Sequence, residues 1–303
     1  MYDQPLVSIV TINWNSTTVT CEFLSSIRKN NSYRNIEVIV VDNASDQNPT
    51  SFLVSSFPSV RVIRNSKNLG FSGGNNVGIK AAAGDYIFVV NNDTEFTPGL
   101  IESLLSVFQR KEDAGIVCPK FHYYFNKGVI EFAGYNRINI FTGRNHMIGK
   151  GEYDNGQYDV LTQTHYAHGG GMMVSRKALE EVGSMPEEFF LYYEEIDWSV
   201  QFKKKGYHIY FQPEGLIYHK ESMTTGKNSP LKTYYLTRNR ILFMRRNISF
   251  PKLSVFFVYF TLIAIPKNCI TYLLNKQPDH LRSFWKGIAW HFNTGMRVKR
   301  NTH

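Results

Sequence analysis

The chain has 303 residues, of which 43% are hydrophobic and 15% aromatic, and this is enough to bury a large core. No low-complexity stretch or internal repeat is visible, which argues against a disordered chain or a repeat solenoid. Three widely spaced cysteines without a metal-like spacing favour a reduced, cytosolic compartment. The first residues lack the basic start, apolar run and cleavage site of a secretory signal, so none is expected.

The net charge of +9 is distributed unevenly. Residues 226–303 hold 14 Lys/Arg and one acid, whereas residues 1–225 hold 20 Lys/Arg and 24 acids. The basic excess therefore belongs to the last quarter of the chain. It predicts an anionic partner for that region, either a membrane face, a phosphorylated lipid or a nucleic acid.

The first 95 residues alternate short apolar runs with segments of helical character. Such alternation predicts an α/β fold with a mostly parallel sheet and helices packed on its faces. The predicted strands are Leu6–Ile12, Ile36–Val41, Val60–Ile63 and Tyr86–Val90, and the predicted helices are roughly Thr17–Lys29, Pro49–Ser56 and Gly73–Ala83.

Further elements are predicted in the middle of the chain, although residues 115–164 show weaker periodicity. Thr97-Pro98 resembles an N-cap followed by proline at the first helical position, and it predicts a helix to about Lys111. The other predicted elements are a strand within His168–Ser175, a helix Arg176–Val182 that ends at Gly183, and a helix Glu194–Lys205 that stops at Gly206.

The C-terminal region is helical, aromatic and basic from Leu231 to Asn247. It is followed by Leu253–Ile265, thirteen residues without a charge, which Pro266-Lys267 is expected to break. A membrane-spanning helix needs about 20 apolar residues, so this run predicts an interfacial amphipathic helix. A buried helix packed on the domain is the alternative.

Two polar clusters follow predicted strands, at the edge where open α/β sheets bind ligands. Asp42 ends the second strand and is suited to hold a ribose or base, or simply to cap its loop. The segment Asn68–Gly78 carries four glycines and three asparagines before a helix. Its backbone amides are suited to phosphate, and a plain turn is the alternative.

Acidic residues supply the expected catalytic groups. Asp93 ends the fourth strand, where a carboxylate beside a diphosphate suits Mg²⁺ or Mn²⁺, although an N-cap would also explain it. Glu194, Glu195 and Asp197 follow the apolar run Phe189–Tyr193. Partial burial there raises a carboxylate's pKa and makes it a better base. His219 follows a predicted strand and gains a role only if Asp93 binds a metal nearby.

Taken together, these motifs resemble family 2 glycosyltransferases of the rhamnosyltransferase-like branch over roughly residues 5 to 245. Six motifs in order and at matching spacing make the resemblance specific. They are residues 7–15, Val41–Ser45, Asn68–Gly78, Asn91–Asp93, His168–Gly171, and Tyr193–Asp197, with His219 and Ser222 following them.

The resemblance implies a GT-A fold and an inverting transfer of a sugar from a nucleotide-sugar donor. Glu195 would be the base, with Glu194 the second choice and Asp197 in support. Asp93, with His219, would hold Mg²⁺ or Mn²⁺. The residues that would line the donor pocket are Asn13, Asp42, Asn68, Gly70, Gly73, Asn75, Asn76 and Asn92. The motif departs from its usual form at Asn91-Asn92, where more acid is common, and at Glu195, where Asp is frequent.

The expected organisation is a catalytic domain over residues 1–225, with a nucleotide-binding half (1–95) and an acceptor-binding half (96–225), followed by a helical basic region (226–303). The donor is expected to be dTDP-rhamnose or a UDP-sugar, and the acceptor a glycan or lipid-linked saccharide in surface polysaccharide synthesis. The Arg238-Asn239-Arg240 run is expected to face acceptor phosphate or membrane, or else to be a solvated basic face.

The expected location is cytoplasmic, peripheral at the inner face of the cell membrane, without a nucleic-acid partner. The alternatives are another nucleotide-dependent enzyme and a non-catalytic nucleotide- or membrane-binding protein. The absence of G-x-G-x-x-G after the first strand disfavours an oxidoreductase.

Overall fold

The structure, a computed structural model, describes residues 4–220 and 229–293. Ser222 and the predicted domain boundary at residues 225–226 lie outside these described residues.

The N-terminal half forms the predicted parallel sheet. Strands β1 to β4 lie side by side in the order β3-β2-β1-β4, and every pair is parallel. Their bounds are β1 Val7–Asn13, β2 Ile36–Asp42, β3 Val60–Arg64 and β4 Tyr86–Val90, and the intervening helices are α1 Thr17–Asn30, α2 Thr50–Ser56 and α3 Gly70–Ala81. The apolar runs of β1, β2 and β4 are largely buried on both faces of the sheet, as expected for strands covered by helices, whereas the edge strand β3 is only partly buried.

The sheet continues into the second half of the chain, where β9 runs antiparallel to both β4 and β6. The order after β4 is β9-β6-β10-β5, with β7 paired to β6 and β8 to β10. The remaining elements are β5 Thr94–Phe96, α4 Leu100–Arg110, β6 Ala114–Tyr123, β7 Ile130–Phe132, β8 Thr162–Gln163, β9 Gly171–Ser175, α5 Arg176–Val182, α6 Glu194–Lys204 and β10 His208–His219. One mixed sheet therefore runs through both predicted halves.

The start of α4 differs from the prediction at Thr97. The Thr97 hydroxyl does not cap the helix, because it donates a hydrogen bond to the Leu216 carbonyl at 2.6 Å. Gly99 is the residue before the helix, and its φ of +76° is a conformation that glycine adopts easily. The pairing of β5 with β10 therefore takes precedence over the local capping signal.

The C-terminal region is helical, as predicted, but Pro266 does not break it. Its helices are α7 Pro230–Asn247, α8 Phe250–Tyr259, α9 Ile265–Leu274 and α10 Pro278–Asn293. Between α8 and α9 the chain forms a π-helical stretch, Phe260–Ala264, in which the Ile265 N–H donates to the Phe260 carbonyl five residues back. This wider turn accommodates a proline that lacks an N–H.

The resulting helical run, Phe250–Leu274, has 25 residues and is long and apolar enough to cross a membrane by length and composition. The prediction that this segment is too short to span was therefore wrong. Four of its side chains are nevertheless buried in a stripe, Leu253, Phe256, Phe260 and Ala264. Their spacing of three or four residues is that of one helix face, so the run lies along the body of the protein.

Candidate active site

Side chains from three parallel strands are linked where those strands end. Asn13 and Asp42 lie in register on β1 and β2, and the Asn13 Nδ2 donates to Asp42 Oδ1 at 2.9 Å. Thr20 donates to Asn13 Oδ1, and Asn92 Nδ2 donates in turn to Thr20 Oγ1, both at 2.8 Å. Asp42 is fully buried and also pairs with Arg64 at 3.4 Å. This network fixes the edge of the sheet, and recognition of a base by Asp42 stays a prediction.

The glycine-rich segment after β3 is held by Asn43, which lies within the Val41–Ser45 motif but was assigned no role from the sequence. Its Nδ2 donates to Asn68 Oδ1 at 2.9 Å and to the Gly70 carbonyl at 3.0 Å. The Gly70 N–H donates back to Asn68 Oδ1 at 2.8 Å. An asparagine directly after the strand-end Asp42 was the available signal, because Asn side chains commonly organise such turns.

The glycine-rich segment and the segment around Phe190 approach each other so closely at Gly70 that a larger residue would not fit. The φ of Gly70 is +74°, and a Cβ atom there would lie 2.3 Å from the Phe190 carbonyl oxygen. The Phe71 N–H donates to that same oxygen at 2.6 Å. The loop predicted to bind the donor therefore contacts the segment that precedes the candidate base.

The other predicted donor residues in this segment lie on α3. Gly73 faces Leu69, whose Cβ atom a Gly73 side chain would meet at 2.8 Å. Asn75 is buried, and its Nδ2 has no hydrogen-bond partner among the described residues. Asn76 donates to the Met185 carbonyl and to Glu187 Oε1, both at 2.9 Å. Asn76 therefore joins α3 to the segment that leads to the candidate base.

The two predicted metal residues are brought together by strand pairing. β5 pairs with β10 so that His219 lies opposite Thr94, directly after Asp93. His219 Nε2 is 3.1 Å from Asp93 Oδ1, and both side chains are buried. These residues are 126 positions apart in the chain, and only the tertiary fold makes them neighbours.

Glu131, which sequence reasoning missed, holds the other side of His219. Its carboxylate lies 2.8 Å from His219 Nδ1, and it is buried on β7. Burial alone would lower the pKa of His219, but hydrogen bonds to Asp93 and Glu131 and their charges raise it to about 10. A glutamate inside the apolar strand Ile130–Phe132 was the available signal, because a buried carboxylate needs a partner.

The chemistry of Asp93 and His219 suits a divalent ion once His219 releases a proton, because the imidazolium held between two carboxylates has no free lone pair. Two neighbouring ligands of an octahedral ion at about 2.1 Å lie about 3 Å apart, close to the separation of His219 Nε2 and Asp93 Oδ1. A carboxylate on the second ring nitrogen is the usual partner of a metal-binding histidine. Among the described residues no group of three or more His, Cys, Asp or Glu side chains is arranged to hold a metal. Oxygens of the donor would therefore have to complete the site.

Glu194 and Glu195 open α6 but occupy different surroundings. Glu195 lines a cavity of about 360 Å³, and burial raises its pKa to about 7. Glu194 is buried outside the cavity wall, and burial followed by the neighbouring Glu195 charge raises its pKa well above the usual range. The carboxyl in the cavity therefore has a pKa near neutrality, and burial favours the protonated form of the carboxyl behind it.

Three residues just before α6 have positive φ, namely Phe190 at 63°, Tyr192 at 69° and Tyr193 at 75°. Bulky residues rarely adopt this conformation, which costs of order 1 kcal/mol each and clusters at functional sites. The surrounding fold must hold this segment in place.

Arg238 and Asn239 on α7 provide that restraint. Asn239 Nδ2 donates to the carbonyls of residues 189, 191 and 192 at 2.7–2.8 Å. Arg238 donates to the carbonyls of residues 188 and 189 at 2.6 Å. Both side chains are buried, so the alternative of a solvated basic face is wrong for them, and these two residues do not face a membrane. Their role is to hold the strained segment.

Asp197 joins α6 to α7. It is fully buried and accepts hydrogen bonds from Arg246 at 3.1 and 3.2 Å and from Asn247 at 2.6 Å. This geometry agrees with the supporting role predicted for Asp197, two residues from the cavity-facing Glu195.

A chain of aromatic contacts connects the cavity with the Asp93–His219 pair. Tyr135 lines the cavity with Glu195 and packs beside His168, with ring centroids 6.1 Å apart. His168 in turn packs against His219 at 6.2 Å. Burial lowers the pKa of His168 well below its usual range, so this ring is neutral.

Solved structures with the same fold bind nucleotide sugars. The chain aligns with a mannosyltransferase from Pyrobaculum calidifontis, solved with GDP-mannose and Mn²⁺, at a TM-score of 0.57 and 14% identity over 97% of this chain and 77% of that one. GalNAc-T7, solved with UDP, GalNAc and Mn²⁺, aligns at a TM-score of 0.67 and 13% identity over 98% of this chain and 59% of that one. The likeness establishes the GT-A fold.

Curated relatives of similar length include rhamnosyltransferases. The dTDP-rhamnosyl transferase RfbF of Shigella flexneri is 25% identical over 273 residues, 82% of this chain and 85% of its own. The N-acetylglucosaminyl-diphospho-decaprenol L-rhamnosyltransferase of Mycobacterium tuberculosis is 23% identical over 64% of this chain and 70% of its own. The uncharacterized protein y4gI of Sinorhizobium fredii is 26% identical over 81% of this chain, which spans only 28% of that relative.

The model of the family described as glycosyl transferase family 2 matches residues 8–183. The chain belongs to this family, and the rhamnosyltransferases among its relatives agree with the branch that the motifs resemble. It is therefore an enzyme, a hexosyltransferase that uses a nucleotide sugar, and a non-catalytic binding protein is set aside.

Proposed function

We propose that this enzyme is an inverting, divalent-metal-dependent glycosyltransferase that acts on a glycan or lipid-linked saccharide during surface polysaccharide synthesis. The observation that carries the proposal is Glu195, a carboxyl with a pKa of about 7 that faces a cavity of about 360 Å³. A base with a pKa near the working pH is well suited to removing a proton from a hydroxyl. The names of the relatives support dTDP-rhamnose as donor, with a UDP-sugar as the alternative.

The donor is assigned to the first half of the chain, residues 1–95, and the acceptor to residues 96–225 and the cavity. Asn13, Asp42 and Asn92 would hold the nucleoside at the sheet edge, and the amides of the segment from Asn68 to Asn76 would surround the diphosphate and sugar. Asp93 and His219 would hold Mg²⁺ or Mn²⁺, with Glu131 orienting the imidazole. When bound, such an ion supplies positive charge to the leaving nucleoside diphosphate.

The reaction then follows from the position of Glu195. The carboxylate accepts the proton of the acceptor hydroxyl as the hydroxyl oxygen bonds to the anomeric carbon. The bond between that carbon and the diphosphate oxygen breaks at the same time, and the nucleoside diphosphate leaves. Attack from the face opposite the leaving group inverts the configuration at the anomeric carbon.

Thermal stabilisation by a panel of nucleoside diphosphates, each with and without Mn²⁺, tests the donor assignment. We expect one pyrimidine diphosphate to stabilise the folded enzyme only with Mn²⁺, because Asp93 and His219 give the ion too few ligands by themselves. At 100 times its Kd such a ligand adds about 2.7 kcal/mol, which a thermal unfolding scan detects readily. An Asp93→Asn variant should lose the Mn²⁺-dependent part. Equal stabilisation with and without Mn²⁺ would contradict the metal assignment.

The location proposed for the enzyme is the cytoplasmic membrane surface, on the face formed by Phe250–Leu274. This run exposes apolar side chains that a protein in water would be expected to cover, including Val258, Leu262, Ile263, Ile270, Leu273 and Leu274. Exposed basic side chains lie along and beside it, namely Lys252, Lys267, Lys276, Arg282 and Lys286. Apolar and basic groups together fit an anionic bilayer surface.

Vesicle binding tests this membrane face. The enzyme should co-sediment with vesicles that contain anionic lipid, and added salt should weaken the binding. A Val258→Asp, Leu262→Asp double variant should bind at least about 10-fold more weakly, because each exposed side chain contributes more than 1 kcal/mol when buried in lipid. Phe52→Asp is the control, since Phe52 is an equally exposed apolar residue on α2. Equal binding by the double variant and the control would contradict this orientation.

A further inference from the structure

Arg240 on α7 is a buried cation without an anionic partner. Its side chain is 5% exposed, and its Nε has no hydrogen-bond partner. Among the described residues none forms an ion pair or hydrogen bond with its guanidinium, which packs over the rings of Phe256 and Phe260 at 5.6 and 5.1 Å. A buried charge is costly unless it is paired, so this arrangement requires an explanation.

The neighbouring buried arginines of the same helix show what pairing looks like. Arg238 donates to two carbonyls and to Asn239. Arg246 pairs with Asp197 and Glu188 at 3.1 and 3.3 Å. Arg240 has no equivalent contacts, and contacts with aromatic rings replace only part of the hydration that burial removes. Its requirement for an anion is therefore not met within the described chain.

The cavity that contains Glu195 is where such an anion can bind. Arg240 lines this cavity, and so does Arg144, an exposed residue in the loop before β8. Burial, followed by the charge of Arg144, lowers the pKa of Arg240 to about 10, so it stays protonated at neutral pH. Two cations therefore share the wall of one cavity with the candidate base.

The cavity wall is made of residues other than those assigned to the nucleotide and the metal. Among the described residues that line it, none belongs to the glycine-rich segment or to the Asp93–His219 pair. The far wall is formed by Asn268 and Tyr272 of α9 and by Phe284 of α10. These helices also carry the exposed apolar face, so the cavity lies between the base and the helices that bear a surface suited to lipid.

We infer that Arg240 and Arg144 form an anion subsite that binds a phosphoryl group joining the acceptor saccharide to a lipid. The inference rests on the proposed function, because it places the acceptor in the cavity of Glu195. A phosphate held there would neutralise the unpaired guanidinium through charge-assisted hydrogen bonds, while its lipid chain follows α9 and α10 to the membrane face. The enzyme would thereby select phospholipid-linked saccharides over free ones.

Binding of farnesyl diphosphate, farnesol and inorganic pyrophosphate in the presence of EDTA tests the subsite without activity. Wild-type enzyme should bind farnesyl diphosphate more tightly than either other probe. Arg240→Met should weaken farnesyl diphosphate binding by about 10- to 100-fold, as expected for the loss of charged hydrogen bonds, and leave farnesol binding unchanged. Equal wild-type affinity for pyrophosphate and farnesyl diphosphate would overturn the assignment to a lipid-linked group.

Thermal unfolding of the same variants separates a binding role from a structural one. Arg240→Met removes an unpaired buried charge and keeps contact with the two phenylalanine rings, so its melting temperature should equal or exceed that of wild type. Arg238→Met is the control, and it should melt lower because carbonyl oxygens lose their donors. A lower melting temperature for Arg240→Met, or unchanged farnesyl diphosphate binding, would overturn the inference.

Nucleotide binding distinguishes failure of this inference from failure of the proposed function. Arg240→Met should bind the Mn²⁺–nucleoside diphosphate complex as tightly as wild type. If nucleotide binding falls and farnesyl diphosphate binding does not, the arginines serve the donor and the inference is wrong. If no nucleotide binds the wild-type enzyme at all, the donor assignment is wrong, whereas the Arg240 measurements still decide the anion subsite.

Discussion

Glu195→Gln is expected to lower kcat by about 10²- to 10⁴-fold, the usual contribution of a general base. The substitution keeps the size of the side chain and removes its capacity to accept a proton. Because Glu195 is not among the residues assigned to the nucleotide or the metal, nucleotide binding should survive the substitution. Steady-state transfer with the nucleotide sugar, together with nucleotide affinity from calorimetry, measures both parts of the prediction.

Glu194→Gln is a matched control at the adjacent position. Burial raises the pKa of Glu194 well above the usual range, which favours the protonated form of the native side chain. Glutamine resembles that protonated form in shape and charge, and activity should change less than about threefold. If Glu194→Gln inactivates the enzyme and Glu195→Gln does not, the roles of the two carboxyls are reversed.

The pH dependence follows from the same carboxyl. Glu195 acts as a base only when it is deprotonated, and burial raises its pKa from 4.5 to about 7. The rate should therefore rise with pH through about 7 and level off above it. An ascending limb near pH 4.5 would show that the base is a solvent-exposed carboxyl instead.

Much of the fold could be predicted because its signals are local. Apolar runs bounded by polar turns gave β1 to β4 within one residue, and Gly183 marked the end of α5 as expected. The predictions at Thr97 and Pro266 were wrong because contacts with residues distant in the chain decide the structure there. The Thr97 hydroxyl is engaged by Leu216 on a distant strand, and packing of the apolar stripe around Phe260 continues the helix through Pro266.

The candidate site was predictable residue by residue but not in its connections. Asp93 and His219 matched motifs, whereas Glu131 belongs to no motif and is identified only when β7 places it against His219. Similarly, the resemblance favoured Glu195 with Glu194 as second choice, but the residues alone could not separate them, because two consecutive helix residues differ only in what each faces. That difference depends on the positive-φ turn before α6, which residues of α7 hold from 47 to 50 positions away.

Asn239→Asp is expected to release this turn and affect both stability and turnover. The change is nearly isosteric and leaves an acceptor for the Arg238 Nε, but it removes the Nδ2 donor from the carbonyls of residues 191 and 192, while the carbonyl of residue 189 keeps Arg238 as its donor. Unsatisfied buried acceptors cost about 1–3 kcal/mol each, so the loss of a donor at two carbonyls should lower the free energy of unfolding by about 2 kcal/mol or more. Calorimetry or denaturant unfolding measures this loss.

The catalytic consequence of Asn239→Asp is separable from the loss of stability. Tyr193 is the last of the three positive-φ residues in this turn, and Glu194 and Glu195 follow it at the start of α6. Relaxation of the turn therefore moves the base relative to the acceptor. A displacement of about 1 Å costs roughly 10²-fold in rate, and kcat should fall by that order even at temperatures where the variant is fully folded. Asn275→Asp makes the same chemical change at an exposed position and should leave both quantities unchanged. A folded Asn239→Asp enzyme with normal kcat would mean that α7 stabilises the turn without positioning the base.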